Sequence, residues 1–140
     1  MKRYILILML TLTIGCAKKP VTAPVPGSIN TLDAWAFRII SDAQASITSV
    51  KTWEQCTAAG ANPGTVTVDG VQQTCDPTAG VFPMQYKPQL NLAITSLNTA
   101  SAAGKAYHSG ASNDTAGLTN AVNQLAQSIT QLMSQIGAKQ

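Results

Sequence analysis

Leu118-Thr119-Asn120-Ala121-Val122-Asn123-Gln124-Leu125-Ala126-Gln127-Ser128-Ile129-Thr130-Gln131-Leu132-Met133-Ser134-Gln135-Ile136 decides the fold. Its apolar residues Leu118, Val122, Leu125, Ile129, Leu132 and Ile136 follow one another at spacings of four, three, four, three and four. That alternation places one seam along one face of a helix running from about Asp114 to Ile136. Leucine and β-branched residues take turns along it, a pattern that suits a two-stranded coiled coil. No charge lies between Asp114 and Lys139, however, so the flanking positions carry no electrostatic instruction for choosing a partner. We read the segment as one helix of an intramolecular bundle. Self-association through the same seam is the alternative.

Working back from that helix, a second one is expected to open at Lys87-Pro88, where the missing proline amide costs nothing. Its stripe is Leu90, Ala93, Leu97, Ala100, Gly104 and Tyr107, with Ile94 beside it. The small residues Ala93, Ala100 and Gly104 permit close helix approach. The loop from His108 to Asp114 is expected to end it, with His108, the single histidine of the chain, facing solvent.

A first helix is expected from Ser28–Thr31 onward. Ser28 or Asn30 caps it, and Asp33 suits the positive end of the dipole. Ile29, Leu32, Ala36, Ile39, Ala43, Ile47 and Val50 recur at helical spacing, and Trp35, Phe37 and Ile40 widen the stripe. Arg38 and Asp42 form an i,i+4 pair of opposite charge. The helical pattern stops at Cys56, and an insertion follows to about residue 83. Within it Asp69-Gly70 separates Thr65-Val66-Thr67-Val68 from Val71-Gln72-Gln73-Thr74. Asp-Gly between two β-prone runs signals a hairpin with a type I′ turn, pairing Val68 with Val71 and bringing Gly64 near Cys75. Asp69 and Asp76 are turn residues in this reading rather than calcium ligands.

The N-terminus has a different character. Met1-Lys2-Arg3 precedes an uncharged apolar run from Tyr4 to Ile14, and Gly15 stands directly before Cys16. A run of eleven residues is shorter than the roughly 20 a spanning helix requires. Leu12-Thr13-Ile14-Gly15-Cys16 resembles the lipobox of bacterial lipoproteins. The resemblance covers residues 1 to about 17 only. It implies cleavage between Gly15 and Cys16, diacylglycerol and fatty acid (palmitate) on Cys16, and a membrane partner reached through that lipid. It further implies a place on the cell membrane or outer membrane, facing periplasm or exterior. An aspartate after the cysteine often marks inner-membrane retention in that class; Ala17 stands here and leans toward the outer membrane. Residues 16–27 then form a lipidated tether, whose Pro20, Pro24 and Pro26 favour extended backbone.

With Cys16 lipidated, Cys56 and Cys75 remain. An even pair in an oxidising compartment reads as a disulfide, closing a loop of about 20 residues and stabilising by roughly 3 kcal/mol. Zinc is disfavoured by the single histidine and the lack of a Cys-x-x-Cys pair.

The full chain of 140 residues has a net charge of +3, but Lys2 and Arg3 would leave with residues 1–15. The rest holds seven Lys/Arg and six Asp/Glu, so no basic stripe remains for a nucleic-acid partner. Charged residues make up 11% of the chain, against roughly a quarter in an ordinary domain. No phosphate loop, nucleophile elbow, His-Glu-x-x-His or helical pair of carboxylates is found. The sequence therefore predicts no enzyme and no cofactor.

The expected architecture is mainly α: a three-helix bundle over residues 28–137, with a small disulfide-tied β-hairpin inserted between helices 1 and 2. The expected role is a non-catalytic envelope lipoprotein that presents its helical domain to a protein partner not named by the sequence. Three alternatives stand beside it. One is an oligomeric envelope assembly built on the last helix. Another is a phage or prophage lipoprotein. The third is a periplasmic small-ligand binder with Trp35, Trp53, Phe82 and Tyr86 as its pocket.

Overall fold

A computed structural model describes residues 30–61 and 64–137. The Gly15–Cys16 cleavage and lipidation site, the tether, Ser28 and Ile29 lie outside the described residues.

Helix α1 spans Thr31–Ala59, strands β1 and β2 span Thr65–Val68 and Val71–Thr74, helix α2 spans Lys87–His108, and helix α3 spans Thr115–Gly137. One 3-10 turn, Met84–Tyr86, leads into α2. All three helices touch one another, and the hairpin leans on α1 through β1. The chain is thus a three-helix bundle with a two-stranded antiparallel insertion, as the periodicities predict.

Helices α1 and α3 begin where the sequence supplies a side-chain cap, and α2 opens instead with Pro88 in its first turn. The Asn30 side chain accepts a hydrogen bond from the Asp33 amide at 2.9 Å, and Asp114 Oδ1 accepts one from the Gly117 amide at 2.7 Å. Both satisfy amides that have no carbonyl one turn earlier. Helix α1 ends at Gly60, whose φ of 61° lets the chain reverse after the last turn. It therefore runs through Cys56. The break expected at Cys56 falls four residues later, because the cysteine can serve the helix and the disulfide together.

The core is one cluster. Ala36, Ala43, Ile47 and Val50 of α1 meet Leu90, Ala93, Ala100 and Tyr107 of α2 and Leu118, Val122, Leu125 and Leu132 of α3. Among the described residues every member of this cluster, partly buried ones included, falls between Leu32 and Ile136. Ala93 and Ala100 are 0% exposed, so the small side chains of α2 sit where helix approach is tightest. Ser128 is buried among the apolar residues of α3, and its hydroxyl donates to the Leu125 carbonyl at 2.9 Å.

The heptad seam faces this core. Leu118, Val122, Leu125 and Leu132 are each 1% exposed or less, and Ile129 and Ile136 are partly buried against the same cluster. The chain's own helices occupy the face that self-association would need.

Phe37 departs from the expected stripe: it is 72% exposed. Its neighbour Ala36 takes the inward position and is 1% exposed. Arg38 and Asp42 are within helical reach of each other but form no ion pair among the described residues.

The hairpin has the predicted register, Val68 opposite Val71 and Thr65 opposite Thr74. Asp69 (φ 51°) and Gly70 (φ 80°) both sit in the left-handed region that a type I′ turn requires. Two short strands do not persist alone in water, and several contacts fasten them to the bundle. Cys56 and Cys75 are bridged and buried. Val68 is 1% exposed, and Lys51 of α1 pairs with Asp69 at the turn. The return segment docks as well: the Phe82 amide donates to Thr57 Oγ1 at 2.8 Å, and Trp53 Nε1 donates to the Gly80 carbonyl at 3.0 Å.

Candidate functional site

Residues distant in sequence converge where the start of α1 meets the end of α2. These two helices run antiparallel, since the start of one touches the end of the other. The Asn30 amide donates to the Tyr107 hydroxyl at 3.1 Å. His108 Nδ1 lies 2.6 Å from Asp33 Oδ2. Asp33 is only 8% exposed, one of two buried polar residues among those described. Its carboxylate sits in the first turn of α1, near the positive end of that helix. His108 and Lys105 sit in the last turn of α2, where the lysine's positive charge suits the negative end.

His108 is therefore not the free loop residue expected from the sequence. It is the last residue of α2 and half-exposed, with its ring fixed by the Asp33 carboxylate. Asp114, the acid nearest to it in sequence, caps α3 instead. The true partner is 75 residues away and becomes a neighbour only through antiparallel packing.

From this junction a groove of about 800 Å³ extends between α1 and α2. Phe37, Ile40 and Leu97 line it with apolar surface, and Asp33, Lys105 and His108 mark its polar end. Gly104 opens the floor: a methyl group there would come within 3.3 Å of Ile40 Cδ1. Lys105 is exposed and has no ionic partner among the described residues, while the one lining carboxylate, Asp33, is committed to His108.

The aromatic residues considered as a pocket pack on one another and on the core. Trp53 and Phe82 stack edge to face with centroids 5.1 Å apart. Phe82 and Tyr86 are buried in the core, and Trp35 and Trp53 pack against it. Their area serves to hold the 80–86 segment on the bundle. Asp69 and Asp76 act in turns, as expected: Asp76 Oδ1 accepts from the Thr78 amide at 2.8 Å and from its hydroxyl at 2.6 Å. Among the described residues no three His, Cys, Asp or Glu side chains are grouped to hold a metal ion. No described helix is long and apolar enough to cross a membrane.

No protein-family model, curated protein or solved structure matches this chain.

Proposed function

We propose that the chain is a lipid-anchored envelope protein whose helical domain acts without catalysis, as an interaction or structural module held at a membrane surface. The observation that carries this reading is the division of the cysteines. Of three, Cys56 and Cys75 are joined in a buried bridge. Cys16 alone is left over, and it stands where the apolar run ends, directly after Gly15. A structural disulfide favours an exported protein, because reducing compartments do not sustain one. The leftover thiol then has an assigned chemistry, thioether formation with diacylglycerol. Two or three acyl chains hold a protein on a bilayer durably, where one holds it only reversibly.

The test is maturation in the native host. Globomycin should make the uncleaved, lipidated precursor accumulate. Cys16→Ala should release the protein from the membrane fraction. Membrane association that persists in Cys16→Ala, together with indifference to globomycin, refutes the reading.

A further inference from the structure

We draw no further inference here: the strongest candidate, the open groove between the later turns of α1, the 73–79 segment and the last turns of α3, has Asp76 as its one charged lining residue among those described, held in a turn with Thr78, and nothing in the structure shows what covers it.

Discussion

His108 Nδ1 and Asp33 Oδ2, 2.6 Å apart, join the last residue of α2 to the first turn of α1. Asp33 also sits at the helix end whose dipole suits a carboxylate. The contact therefore combines a directed hydrogen bond with one favourable dipole position. His108→Ala should cost about 1 kcal/mol, since it removes the hydrogen-bond partner of a buried carboxylate. Asp33→Ala should cost about 1–2 kcal/mol, because it removes the bond and the dipole partner together. Urea unfolding of both single variants and the double variant measures the coupling. A coupling energy of about 0.5 kcal/mol or more is expected for groups in direct contact, and strict additivity would contradict the bond.

The Cys56–Cys75 bridge closes a short loop on a hairpin that has little core of its own. Cys56→Ala/Cys75→Ala should lower stability by roughly 3 kcal/mol. The helical circular dichroism signal should survive, since the main core is built by the three helices. The loss should concentrate in the hairpin, where amide exchange of Val66 and Val68 reports it directly. Uniform loss of protection across α2 and α3 would show that the bridge supports the whole bundle.

Periodicity made α3 and the hairpin legible, because each carries its own local signature: a heptad in one, Asp-Gly between β-prone runs in the other. The disulfide followed from counting cysteines. Phe37 was misjudged for a physical reason. The stripe of Ala36, Ala43, Ile47 and Val50 does face the core. Phe37 is turned about 100° from Ala36 around the helix, which carries it past the edge of that stripe. The Asp33–His108 pair was hidden for a related reason. Asp33 reads as an ordinary first-turn acid and His108 as a solvent-facing loop residue, and nothing local announces a contact across 75 residues.

Leu125 and Ile136 share the heptad seam but differ in depth, 0% exposed against partly buried. Leu125→Ala should cost about 2–5 kcal/mol, as expected for a leucine lost from a packed interior. Ile136→Ala, near the end of α3, should cost clearly less. Analytical ultracentrifugation of the wild-type domain completes the comparison. If the seam serves a second copy, Leu125→Ala would change the mass in solution before it changes the unfolding midpoint. The burial of Leu118, Val122 and Leu125 predicts the opposite order.

Ala100 and Gly104 test the packing of α2 from opposite directions. Ala100 is 0% exposed, and Ala100→Leu should cost about 1–3 kcal/mol by forcing the helices apart. Gly104→Ala should instead stabilise. It gains about 0.8–1.0 kcal/mol of helix propensity. Against that stands one close approach, the new methyl 3.3 Å from Ile40 Cδ1. That atom is the tip of a partly buried side chain bordering the groove, so it has room to move by a few tenths of an ångström. The net gain should be about 0.5 kcal/mol, read as a raised urea midpoint with an unchanged slope. A loss instead of a gain would mean that Ile40 is held rigidly and that α1 and α2 are tightly packed at this point rather than parted by a groove.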